Sequence, residues 1–232
     1  DYKTFLQNND INTEYISITK NHPTASGFAI TDMRDNQIWM FAPGAMRSAV
    51  KLKLKSILKK VASPFILISP NDLQAMVNYV KESIKYKLEF AFDPSSYTAT
   101  MSDEVLKLGV SSAKIFFAND YEVAFIEKRL RKSITKLVNV EQIVVKTLAD
   151  QGSEVFHKGK WTKIGIYKTK AVDPTGAGDA YRAGFLYGYL QNLSIKTCGW
   201  MGAVTASFAV EVKGTMNLKF TKKEFEKRIK TL

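Results

Sequence analysis

From Ile66 onward, short apolar runs of about five residues alternate with segments whose apolar residues recur at helical spacing. Phe65 to Ser69 reads as a buried strand, and Leu73, Met76, Val77, Val80 and Ile84 then follow the helical period. Leu88 to Phe92, Ala113 to Phe117 and Gln142 to Leu148 repeat the strand pattern, with helices expected near Ser102 to Leu108 and from about Tyr121. Runs that are apolar throughout, rather than at every second residue, belong to strands covered on both faces. Strand–helix–strand succession therefore predicts an open, largely parallel α/β sheet with helices on both faces.

The flanks of this pattern differ from it. Tyr15 to Thr19, Gly27 to Thr31 and Gln37 to Ala42 are short strand-like runs joined by turn residues that include Arg34-Asp35-Asn36, which predicts a small antiparallel sheet set apart from the main one. The expected division is a lid-like sheet over 12–46, with 1–11 and 47–232 forming the α/β domain. Ser153 to His157 and Trp161 to Ile166 read as a hairpin around Lys158-Gly159-Lys160. Helices are expected over about Gly176 to Gln191, Ile195 to Glu211 and Thr221 to Lys230.

Composition excludes several classes. Cys198 is the only cysteine among 232 residues, so there is neither an internal disulfide nor a cysteine metal cage, and a reducing cytoplasm is the expected setting. No apolar run reaches eighteen residues, and the polar first ten residues are unlike a signal peptide. The net charge is +12, from 34 Lys+Arg against 22 Asp+Glu, densest at Lys51, Lys53, Lys55, Lys59 and Lys60. A basic balance suits polyanionic ligands in general. No helix-turn-helix, zinc-finger or RNA-recognition signature accompanies it, so a solvated surface is the expected reading and a basic nucleic-acid binder the weaker one.

Ligands of open parallel sheets bind at the carboxyl ends of the strands. Here those ends carry Ser69-Pro70-Asn71-Asp72, Asp93-Pro94-Ser95, Asn119-Asp120-Tyr121-Glu122 and Thr147. Singly, each is a helix cap or turn former. Together they gather carboxylates and amides on one edge. Asp173-Pro174-Thr175-Gly176-Ala177-Gly178-Asp179 then runs straight into a helical stretch. Gly176, Ala177 and Gly178 remove bulk where a helix begins, and unpaired N–H groups there, with the helix dipole, can face an anion. P-loop, dinucleotide-fingerprint, protein-kinase and His-Glu-x-x-His motifs are absent. His22 and His157 are expected at turn or surface positions.

These motifs resemble the ribokinase-like (PfkB) family of sugar and nucleoside kinases. Asp173 to Asp179 resembles the family's C-terminal signature, which implies Asp179 as catalytic base and Gly176, Ala177 and Gly178 as an anion hole. Asn119 to Glu122 resembles its Asn-x-x-Glu motif, implying Asn119 and Glu122 near Mg²⁺, through water, and near the phosphates of ATP. Thr147 to Gly152 resembles a Thr-Leu-Gly-x-x-Gly segment, implying Thr147 and Gly152 beside the nucleotide. Asp173 and Thr175, with carbonyls near Ala209 and Gly214, are implied as a monovalent-cation (K⁺) site.

The resemblance further implies transfer of the γ-phosphate of ATP to an alcohol of a small-molecule sugar or nucleoside, of the ribose or adenosine type, by a monomer or homodimer that needs neither a specific nucleic acid nor a membrane. The stretch Gln37 to Met46 resembles adenosine-kinase-like members. Phe28, Trp39 and Phe41 are expected either to face a base or sugar or to form the core of the small sheet, the latter preferred. Three departures are expected to matter. The chain starts where a family member would already be entering its lid, without the first strand and the Gly-Gly segment that grip the acceptor. Ala149-Asp150 stands where the family prefers glycine first, and Ala203 replaces a larger adenine contact. The alternative is a catalytically impaired remnant that binds nucleotide or a partner protein.

Overall fold

The computed structural model describes residues 2–33, 37–61 and 64–232, and the chain divides into two compact units, Asp1–Glu89 and Phe90–Leu232. The turn Arg34-Asp35-Asn36 and the Trp39 side chain lie outside the described residues.

The first unit opens with helix α1 (Tyr2–Asn8), then strands β1 (Ser26–Thr31) and β2 (Gln37–Ala42). These two pair antiparallel, with Phe28 opposite Met40 and Ile30 opposite Ile38. Side chains alternate along a strand, so these four share one face, and every one of them is exposed. Phe28 and Phe41 are exposed too, which corrects the expectation that they form a core: a two-stranded ribbon has no second layer to bury against. Tyr15 to Thr19 is likewise corrected, since it forms no strand. A 3₁₀ turn over Gly44–Lys51 and helix α2 (Leu54–Leu58) follow and carry part of the lysine cluster.

Strand β3 (Ile66–Ile68) and helix α3 (Leu73–Lys85) complete the first unit. The Asp72 carboxylate caps α3 by accepting from the Ala75 N–H at 3.0 Å, as a residue of its type does at a helix start. Ala75, Met76, Val80 and Ser83 form the buried stripe of α3. The Tyr79 hydroxyl donates to the Ala49 carbonyl at 2.7 Å, and the Leu54 N–H donates to Glu82 at 2.7 Å, tying α3 to the segments before it.

The second unit is built on strands β4 (Phe90–Phe92), β5 (Ile115–Asn119), β6 (Ile143–Thr147), β7 (Ser153–His157) and β8 (Lys160–Ile164), adjacent in that order. β4, β5 and β6 are mutually parallel, whereas β7 and β8 add an antiparallel hairpin to the β6 edge. The hairpin turn is Lys158-Gly159 alone, because Lys160 already pairs with His157. Helices α4 (Asp103–Ser112), α5 (Asp120–Leu130), α6 (Ile134–Leu137), α7 (Ala177–Leu190), α8 (Ile195–Val210) and α9 (Lys222–Ile229) accompany the sheet. Phe90, Ala91, Phe92, Ile115, Phe116 and Val144 are all but inaccessible, as the uninterrupted apolar runs required.

Small residues let α7 and α8 approach closely. A β-carbon on Gly184 would meet Thr205 Oγ1 at 2.3 Å and the Met201 carbonyl oxygen at 2.5 Å, and one on Gly202 would meet the Tyr181 ring at 2.9 Å. Phe185 closes α7 onto the sheet by an edge-to-face contact with Phe117, ring centroids 5.5 Å apart. Helix α9 is held by Arg228, which lies over the Phe208 ring at 3.6 Å and makes two 2.8 Å hydrogen bonds to Glu211.

Candidate functional site

The carboxyl ends of β4, β5 and β6 and the first turn of α7 carry most of the residues singled out from the sequence, all within the second unit. Asn119 ends β5 and lies in register with Thr147, the last residue of β6, which in turn pairs with Ser153. Asp93 follows β4 directly.

Asn119 and Glu122 form a reciprocal capping box at the start of α5. Burial is the main influence on Glu122 and raises its pKa, with the Asp93 charge adding to the effect, while the Asn119 N–H and the Arg182 cation oppose it. The pair expected near Mg²⁺ thus has a first task in the fold itself: it starts α5.

The Asp173–Asp179 segment turns sharply at Gly176, whose φ of +83° is left-handed backbone that glycine adopts without strain. The Ala177 N–H donates to the Pro174 carbonyl at 3.1 Å. That donor, one of those expected in the anion hole, is engaged by the turn here. The N–H groups of Gly178 and Asp179, second and third residues of α7, have no acceptor among the described residues, and a β-carbon on Gly178 would meet nothing within 4 Å. Two adjacent open donors stand at the positive end of a fourteen-residue helix, an arrangement that can face an anion.

Asp173 serves as a clamp. Its two oxygens accept from the Thr175 N–H and the Gly214 N–H, both at 2.9 Å, and these backbone donors hold its pKa below the usual carboxylate range. No group of three or more His, Cys, Asp or Glu able to hold a metal occurs among the described residues. That leaves the expected monovalent-cation site at Asp173 and Thr175, which would draw on backbone carbonyls, as an expectation. Gly152 also acts in the backbone: its φ is +89°, and a β-carbon there would lie 2.2 Å from the Ile164 carbonyl oxygen. Ala149, where the family prefers glycine, has a left-handed φ of 50°. Ala203 is buried in α8.

Two further groups stand at this edge with no motif to mark them. Arg182, one turn beyond Asp179 and the only charged residue in α7 after it, donates through Nη1 to Asp93 Oδ2 and through Nη2 to Asp179 Oδ1. The Arg182 and Asp93 side chains are only 13% and 11% exposed, against 71% for Asp179. Burial is the leading influence on Asp93 and raises its pKa against the pull of Arg182. The signal was present, since a lone arginine in an otherwise apolar helix face must find a partner. Tyr181 is the second. Its hydroxyl shares a buried 2.6 Å hydrogen bond with Ser153, joining α7 to the strand that follows Gly152, and burial pushes its pKa up to about 12.

No helix among the described residues is long and apolar enough to cross a membrane. The first unit holds a cavity of about 310 Å³ lined by Glu14, Tyr15, Leu52, Leu54, Ile57 and Tyr79, none of which was singled out as a site residue.

Comparison with known proteins agrees with this layout. The chain is 30% identical over 214 residues to a nucleoside kinase of Methanocaldococcus jannaschii, covering 92% of this chain and 69% of that protein. The solved structure of the M. jannaschii nucleoside kinase, described as an archaeal member of the ribokinase family, superposes with a TM-score of 0.86 at 28% identity, over 100% of this chain and 76% of that one. A Burkholderia thailandensis nucleoside kinase in complex with inosine shares the fold, with a TM-score of 0.90 at 24% identity, over 99% of this chain and 75% of that one. The family of pfkB carbohydrate kinases matches residues 1–222, and with this sheet and these relatives the chain belongs to that family of ATP-dependent sugar and nucleoside kinases.

Proposed function

We propose that the chain transfers the γ-phosphate of ATP to a primary hydroxyl of a nucleoside or ribose-type sugar, with Asp179 as the base. The observation that carries this reading is the exposed Asp179 carboxylate beside the open N–H groups of Gly178 and Asp179 on one helix turn. A carboxylate and an anion cradle on one turn serve both reactants: the first takes a proton from an alcohol, the second steadies the phosphoryl oxygens. The relatives described as nucleoside kinases favour a nucleoside acceptor over a free sugar.

The acceptor oxygen attacks the γ-phosphorus as its proton passes to Asp179, and the bond from that phosphorus to the bridging oxygen of ADP breaks. The transition state is loose, so the protein contributes by positioning and charge stabilisation. Gly176 shapes the turn, and Gly178 keeps the cradle free of side-chain bulk. Thr147, beside Asn119 at the strand ends, and the Gly152 turn border the nucleotide. The hard oxygen donors Glu122 and Asn119, held together by their reciprocal cap at the end of β5, fit a magnesium ion held through water, which would neutralise phosphate charge.

The test is ATP-dependent phosphorylation of a panel of nucleosides and pentoses by the full chain and by Asp179→Asn. Turnover should fall about 10²–10⁴-fold in the variant, with ATP binding retained. Near-normal turnover would remove Asp179 from this role. Mg-ATP binding by calorimetry without turnover of any acceptor would instead favour a nucleotide-binding remnant.

A further inference from the structure

The guanidinium of Arg182 is placed in a way that a purely structural ion pair would not need. Arginine meets a single carboxylate most favourably through two parallel N–H···O bonds. Arg182 makes only one bond to Asp93, through Nη1, and turns Nη2 to Asp179. As a result Arg182 Nε and Asp93 Oδ1 are both buried without a hydrogen-bond partner. Folded proteins seldom leave such atoms unmade, because each carries its full desolvation penalty. A side-on pairing of Arg182 with Asp93 would satisfy both atoms and release Asp179. The arrangement found gives up that pairing and holds Asp179.

We propose that Arg182 is a positioning residue for Asp179, braced from behind by buried Asp93, and that it reserves Asp179 Oδ2 for the acceptor hydroxyl. This rests on the assignment of Asp179 as the base. The Asp179 side chain stands largely in solvent, whereas those of Arg182 and Asp93 are nearly enclosed. The guanidinium is a rigid plane, so fixing Nη1 against Asp93 also fixes Nη2. Asp179 Oδ1 is then tethered, and the remaining oxygen has a set direction relative to the Gly178 and Asp179 N–H groups. The charged groups around Arg182 are Asp93 after β4, Asp179 on its own helix, and Glu122 on α5, whose ionisation responds to both Asp93 and Arg182. One cation among three carboxylates cannot be removed without altering the proton affinity of those that remain.

Three variants of the full chain test this: Arg182→Gln, Arg182→Lys and Asp93→Asn, each followed by steady-state kinetics in both substrates, a pH profile and thermal unfolding. Arg182→Gln should lower kcat about 10²-fold, the cost of a base misplaced by an ångström, while KM for ATP changes less than about threefold. The acid limb of its kcat/KM profile should move to higher pH, because the cation that favours ionised Asp179 is gone. Arg182→Lys keeps the charge but not the fork, so it should return the acid limb to its wild-type position and recover kcat only in part. Asp93→Asn should lower kcat without moving the acid limb upward, since Arg182 then keeps Asp179 as the one carboxylate hydrogen-bonded to it. An acid limb unmoved in Arg182→Gln, or activity in all three variants that falls only as far as the folded fraction falls, would overturn the proposal. The two assignments fail separately: a fully active Asp179→Asn removes the base, whereas an inactive Asp179→Asn beside an unshifted Arg182→Gln removes only the positioning role.

Discussion

Asn119 accepts the Glu122 N–H through its side chain at 2.8 Å, and Glu122 accepts the Asn119 N–H through its carboxylate at 2.9 Å. Each residue thus satisfies a donor that helix geometry would leave orphaned. The same two residues are the ones proposed to face the nucleotide, so stability and function meet at this cap and can be separated by substitution.

Asn119→Ala should destabilise the fold by about 0.5–2 kcal/mol through loss of the cap, read as a lowered denaturant midpoint. Glu122→Gln keeps an acceptor for the Asn119 N–H and should preserve the cap. Because burial raises the Glu122 pKa, the folded state holds the proton more tightly than the unfolded chain does. The cost of ionising Glu122 is therefore absent below its ordinary value of 4.5 and complete once pH exceeds the raised folded value. Glu122→Gln should accordingly gain on the wild type as pH rises through that window. Thermal unfolding at pH 4 and pH 7 checks it, and an advantage that shrinks toward pH 7 would contradict the burial argument.

Ala149 has the backbone of a glycine. Left-handed conformation costs an L-residue about 1–2 kcal/mol, partly offset here because alanine restricts the unfolded chain more than glycine does. Ala149→Gly should stabilise the chain by up to about 1 kcal/mol, and Ala149→Val should destabilise it. A melting temperature lowered by the glycine would show that the turn does not carry this strain.

Gly184 of α7 faces Thr205 and Met201 of α8 with no room for a β-carbon. Gly184→Ala should destabilise by about 1–3 kcal/mol, the cost of overpacking. Adding Thr205→Ala should recover only part of it, because the Met201 carbonyl oxygen stays at 2.5 Å from the new methyl group. Full recovery in the double variant would mean that the hydroxyl alone sets the helix spacing.

The +12 net charge predicts weak binding to random DNA at physiological salt, because none of the basic residues belongs to a groove-reading motif. Fluorescence anisotropy against a random duplex should show affinity that collapses on going to about 0.2 M salt. Sub-micromolar binding that persists there would favour a nucleic-acid role.

Period and punctuation along the chain were enough to announce the α/β class, the strands at Phe90, Ile115 and Ile143, the β7–β8 hairpin and the helix after Asp179, because strand burial and helix capping are local consequences of residue order. The motif Asp173–Asp179 likewise marked the turn into α7, since a left-handed Gly176 and an open Gly178 need nothing beyond the peptide itself. Tyr15 to Thr19 had strand composition but no partner strand, and pairing is a property of two segments, not one. The exposure of Phe28 and Phe41 was illegible for the same reason: burial depends on what lies opposite. That the Ala177 N–H meets the Pro174 carbonyl and that Asp173 accepts from Gly214, 41 residues later, depended on folded geometry. The reach of Arg182 to Asp93, 89 residues earlier in the chain, was decided only by tertiary structure, because sequence order carries no record of which distant carboxylate a buried cation will meet.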